Sequence, residues 1–141
     1  MAKSNNSGPT IFTQLGKALL GLFKLIFSKK DKKFNHEQLL AQFGTIEKLV
    51  ESNDPIHAAQ AVVRADSFLD LVMKKSGARG ETFGERLKNI ESRFERSFYQ
   101  QLWEAHKLRN RIAHEHPEVS IAQAKNSLET FRRAASILGA F

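Results

Sequence analysis

The sequence predicts an all-α fold: an up-and-down bundle of about five helices over residues 35–141, preceded by a separate N-terminal amphipathic helix. Three observations carry this. Helix formers dominate, with no long alternating run of β-branched residues and no Asn-Gly or Asp-Gly hairpin signal. Apolar residues recur at spacings of three and four, the period of one helical face. Helix-start signals stand at the breaks: Asn35 with Gln38, Asp54 with Pro55, Thr82 with Glu85, and Ser120 with Gln123.

Each element is justified by these signals. The first helix starts at Asn35 and runs to about Ser52, with Leu39, Leu40, Phe43, Ile46 and Val50 as its apolar stripe. Asp54 caps the second, Pro55 sits in its first turn, and it runs to about Lys75. Its apolar arc contains Ala59, Val62, Val63, Leu69 and Met73, and Asp66 falls inside that arc. Ser76 to Gly80 reads as a turn. The third helix opens at Thr82 and extends through about Arg93. The fourth covers about Glu95 to Glu115 and is stopped by Pro117. Ser120 opens the fifth, which reaches about Leu138. The short connections favour antiparallel neighbours. There is no internal repeat, and residues 35–141 hold no glycine-rich phosphate loop.

Charge separates an arm from this bundle. The chain of 141 residues has net charge +7, yet residues 1–34 hold seven lysines against one aspartate. The bundle, with fifteen bases and fourteen acids, is nearly neutral, so the basic balance says little about nucleic acid at the bundle. Residues 1–9 are polar and breaker-rich and read as a disordered start. Residues 10–34 read as an amphipathic or membrane-associated helix with a basic cluster. Ile11, Phe12, Leu15, Leu19, Leu22, Phe23, Ile26 and Phe27 surround a narrow face containing Lys17 and Lys24, and Lys29, Lys30, Lys32 and Lys33 come next. An in-plane helix facing anionic lipid, a spanning helix, and a helix packed on the domain or a partner all fit; association with lipid through residues 10–33 is favoured. The expected location is cytoplasmic, at the inner face of the cell membrane. The absence of cysteine excludes disulfides and thiolate metal sites. His36 and His57 lack ligand-spaced partners, so no metal or other cofactor is expected.

The fourth helix concentrates the candidate chemistry. Phe98, Leu102, Ala105, Leu108 and Ile112 share one arc, and Arg109 lies within it. Beside it runs a stripe of Tyr99, Trp103, His106, Asn110 and His114. A charge on an apolar arc is costly unless paired or placed at a cleft, so Asp66 and Arg109 are expected to meet, or Asp66 to meet His106 instead. Histidine can move a proton near neutrality, and arginine can hold two phosphate oxygens. Asn110 can orient either group. A purely structural alternative exists for each. Arg109 and His114 can be a helix-end ion pair and a charge favourable to the dipole. His106 can be structural, and Trp103 and Tyr99 can be core or dimer packing. Arg111 and His116 repeat the spacing, but His116 precedes Pro117 and leaves the helix.

Arg109 and Asn110, with His114 four residues further on, resemble the Arg-polar-x4–6-His signature of the HEPN superfamily (higher eukaryotes and prokaryotes nucleotide-binding domain). The run from Trp103 to Glu115 and the helix order over about residues 35–138 are also similar; the N-terminal arm lies outside the resemblance. The resemblance implies a HEPN-like bundle at 35–141, commonly a homodimer, and often a metal-independent endoribonuclease acting by 2′-hydroxyl attack. It implies Arg109, Asn110 and His114 as catalytic residues and RNA as substrate; the arcs and stripe of the helices add Asp66, His106 and Trp103 as supporting residues. The implied alternative is a non-catalytic module for dimerisation, nucleotide binding or toxin–antitoxin interaction, with an antitoxin or nucleotidyltransferase partner.

The arm gives a direct test. Full-length chain is expected to co-sediment with anionic lipid vesicles, and a chain lacking residues 1–34 to stay in the supernatant with its helical spectrum intact. Vesicle binding by the shortened chain would overturn the anchor.

Overall fold

A computed structural model describes residues 16–18 and 34–141. Residues 16–18 are helical; the expected disordered start, the rest of the arm helix, the basic cluster and their lipid contact lie outside the described residues. The chain divides into two compact units, Met1–Lys32 and Lys33–Phe141. The second unit is all-helical: α1 (His36–Glu51), α2 (Pro55–Lys75), α3 (Phe83–Asn89), a 3-10 turn (Glu91–Arg93), α4 (Arg96–Glu115) and α5 (Ile121–Ile137). Among the described residues no helix is long and apolar enough to cross a membrane.

The caps explain the boundaries. Asn35 Oδ1 accepts from the Gln38 amide at 3.2 Å, and Asp54 Oδ1 from the Ile56 amide at 2.8 Å. Thr82 with Glu85, and Ser120 with Gln123, form reciprocal capping boxes that satisfy otherwise orphaned amides. At the end of α2, Gly77 takes φ 90°, and the Ala78 amide reaches back to the Met73 carbonyl at 3.0 Å. α4 stops at His116, which is left-handed at φ 50°, just before Pro117.

One expected element is shorter than its sequence suggested. The third helix ends at Asn89, not near Arg93, and the chain continues as a 3-10 turn. Tertiary contacts override local continuity here. Ile90 and Phe94 are both buried, and Arg93 donates from both terminal nitrogens to the Ser76 carbonyl at 3.3 Å.

Helix α2 is central and packs against α1, α3, α4 and α5. Its Val62, Leu69, Val72 and Met73 meet Phe43, Leu87, Phe98, Leu102 and Phe131 in one core. α3 is tied to α2 by a second device. Arg86 grips Asp70 with two hydrogen bonds, at 2.7 and 3.0 Å, and donates to the Gly80 carbonyl at 2.6 Å. Gly80 has φ 140°, and a Cβ there would stand 2.7 Å from Glu85 Cβ and 2.9 Å from the Arg86 nitrogen. Glycine is therefore required at this turn on both counts.

Burial pushes the Asp70 carboxyl up, but the hydrogen bonds and charges of Arg86 and Lys74 outweigh it and hold it below its ordinary 3.8. A lowered folded-state value adds stability that is complete above the ordinary value and disappears as pH falls through the lowered one. The melting-temperature gap between wild type and Asp70→Asn should thus be constant above about pH 5 and narrow progressively below about pH 4. Calorimetry across this range checks it; a gap unchanged down to strong acid would show that the pair contributes nothing.

Candidate functional site

α2 and α4 bring four polar side chains together where a core would otherwise close. Asp66 is 4% exposed, on the α2 face that packs against α4. His106 Nδ1 donates to Asp66 Oδ1 at 2.7 Å. Asn110 Nδ2 donates to His106 Nε2 at 3.2 Å, and Arg109 Nη1 donates to Asn110 Oδ1 at 3.1 Å. Arg109 Nε lies 3.6 Å from Asp66 Oδ2, which is electrostatic contact rather than a hydrogen bond. The four side chains thus form a ring. Because a carboxylate accepts, Nδ1 carries the imidazole proton, and Nε2 is left to accept from the amide.

Arg109 is held but not saturated. Its side chain is 32% exposed, and its buried Nε makes no hydrogen bond. Among the described residues, one of its N–H groups is engaged, that to Asn110. Arg109 lines a polar cleft of about 410 Å³ with Asp66, Ser67, Asp70, Thr82, Gly84, His106 and Asn110, and Phe83 completes the wall.

An aromatic collar fixes the imidazole. Phe83, the first residue of α3, stacks on His106 with centroids 4.1 Å apart and planes at 6°. Trp103 meets the same ring edge-on at 6.0 Å, and Tyr99 backs Trp103 at 6.2 Å. Trp103 leans on α3: a Cβ at Gly84 would stand 3.1 Å from its indole, and Lys88 Nζ lies 5.9 Å from its ring centroid. Trp103 supports the site through His106 and does not line the polar cleft.

Asp66, His106, Arg109 and Asn110 are therefore together, and Asp66 reaches both bases named from the sequence. His114 is not with them. It is exposed in the last turn of α4, makes no hydrogen bond among the described residues, and does not line the polar cleft. Helix geometry gives the reason. Five residues at 100° each place His114 about 140° from Arg109, while Asn110, one turn back, is its neighbour. The expected core arc is also shorter than its spacing suggested. Phe98, Leu102 and Ala105 are buried, whereas Leu108 and Ile112 are half-buried. α4 emerges from the core over this stretch, and Arg109 reaches a cleft rather than the interior.

Phe83 carries no sequence signal as a site residue. The Thr82 cap fixes where α3 starts, and only the packing of α3 decides which ring its first side chain meets. The bond between His106 and Asn110 does have a signal, in their spacing of four. Among the described residues no group of three His, Asp or Glu side chains is placed to hold a metal ion. Comparison with protein-family models, curated proteins and solved structures finds no match.

Removing the carboxylate leaves Arg109 and His106 facing a half-buried void. Asp66→Ala should cost about 3 kcal/mol, the lower end for a buried pair because Arg109 is part-exposed. His114→Ala should melt within experimental error of wild type. Chemical denaturation of both variants decides this; an Asp66→Ala chain as stable as wild type would mean the ring contributes no net stability.

Proposed function

We propose that this chain is a HEPN-like, metal-independent endoribonuclease domain tethered to a membrane surface through residues 10–33. One observation carries the reading. Arg109 is oriented by Asn110 and Asp66 yet leaves most of its donors unspent at a polar cleft, and exposed His114 stands one helical turn beyond Asn110. A guanidinium so placed suits a phosphodiester, whose two free oxygens accept a paired set of N–H groups. The 2′-hydroxyl of the RNA attacks the adjacent phosphorus, and the bond to the 5′-oxygen breaks. A 2′,3′-cyclic phosphate and a 5′-hydroxyl result. Arg109 stabilises the extra negative charge of the transition state, and His114 moves a proton to or from the reacting oxygens. The nucleophile belongs to the substrate, so no metal-activated water is called for. One histidine cannot serve both oxygens at once, so a second copy, meeting the first along α4, supplies the other proton-transfer group.

A second reading has an observation of its own. His114 lies outside the cleft that Arg109 lines, as suits a non-catalytic HEPN-like module for dimerisation, nucleotide binding or docking of an antitoxin or nucleotidyltransferase.

The test is incubation of RNA with the full-length chain in EDTA. Wild type is expected to leave cyclic phosphate ends, and His114→Ala to lose activity by a factor of about 10² or more. Arg109→Gln should lose at least as much. RNA that is bound but never cut would transfer the chain to the second reading.

A further inference from the structure

The polar cleft is not the end of the seam between α2 and α4. These helices run antiparallel, since Asp66 meets His106 while residues earlier in α2 face residues later in α4. One turn beyond the ring the seam opens into a second cleft, of about 590 Å³ and mainly apolar. Its walls are Ile56, Ala59 and Val63 of α2, Ile112 of α4, and Pro117. Ile56, which lines this cleft, is 69% exposed. The rim carries Gln60, Arg64 and Glu118. Val63 lies three residues before Asp66, and Ile112 three after Arg109. Along each helix axis the nearest lining residues of the two clefts are therefore less than one turn of about 5.4 Å apart.

We infer that this apolar cleft is a nucleobase subsite, receiving the base of the nucleotide whose phosphate Arg109 holds. The subsite rests on the RNA reading of Arg109 and adds to it a place for the base. A nucleotide is a charged end and a flat, largely apolar end joined by a ribose. The seam offers the matching pair: donors at Arg109, and apolar walls that begin less than one helical turn further along both helices. Apolar walls shelter an unstacked base, and a few polar groups read its edge. Glu118 accepts from an exocyclic amine, Arg64 donates to a ring carbonyl or nitrogen, and Gln60 and His116 add further polar groups, so the lining can read a base edge. The dimensions also favour a base over a protein. The cleft has the volume of a small-ligand pocket, which is typically about 300–1,000 Å³. A stable protein interface instead needs about 800 Å² on each partner.

The test measures binding, independently of cleavage. The full-length chain is titrated by fluorescence anisotropy with a 2′-O-methyl adenylate hexamer, which lacks the nucleophile. A second titration uses a 2′-O-methyl abasic hexamer of equal charge. Wild type should bind the adenylate about tenfold more tightly, as expected when one base is sheltered. Ala59→Trp, which fills the cleft, should erase that difference and leave abasic binding within twofold. Ile56→Asp at the exposed mouth should do the same where the tryptophan disturbs folding. Arg109→Gln should weaken both hexamers alike. Equal binding of the two hexamers by wild type, or a preference that survives both cleft variants, overturns the subsite and leaves the cleft to a protein partner. Failure to bind either hexamer overturns the RNA reading together with the subsite.

Discussion

The fold is organised around one carboxylate that must be paired. Asp66 sits on the central helix, 4% exposed, with core residues on either side of it. A lone ionised group there would cost several kcal/mol, so everything opposite it on α4 is constrained. His106 supplies a short hydrogen bond and Arg109 a neighbouring charge, and Asn110 links the two. The same requirement keeps α2 and α4 from closing as a dry interface. The polar cleft is the geometric consequence of accommodating a carboxylate where Leu or Val would pack.

α3 exists to hold that arrangement in place. A helix of seven residues is too short to be stable alone. It is fixed at its start by the capping box of Thr82 and Glu85, and to α2 by Arg86 on Asp70. With α3 anchored, Phe83 lies flat against His106 and Gly84 gives Trp103 room. Two carboxylates one turn apart on α2 thus have separate tasks. Asp66 orients the ring on α4, and Asp70 secures the helix that covers it.

The physics of single helices made much of this legible. Caps at Asn35, Asp54, Thr82 and Ser120 are local chemistry, and all four accept the hydrogen bond their sequence position implies. That Asp66 meets Arg109 was readable from helical angles, because both carried the same burial penalty; His106 stood only as the alternative partner, and the structure gives Asp66 both. What could not be read depended on more than one helix. The early end of α3 answers to buried Ile90 and Phe94 and to Arg93 on the Ser76 carbonyl. The stacking of Phe83 on His106 requires the path of the turn at Gly80. His114 shares a stripe with Asn110, and a stripe fixes neighbours along a helix without fixing which cleft they border.

The direction of the hydrogen bonds explains why position 110 must be an amide. Asp66 accepts, so His106 presents its proton at Nδ1 and a lone pair at Nε2. The next group must donate to that lone pair and, from its other atom, accept from Arg109. Asparagine does both in one planar unit, with Nδ2 towards His106 and Oδ1 towards Arg109. Aspartate could not donate to Nε2, and serine has one oxygen where two separated atoms are needed. The orientation of Arg109 is thereby inherited from Asp66 through two intervening side chains as well as across 3.6 Å of space. A guanidinium constrained by two routes has little rotamer freedom left.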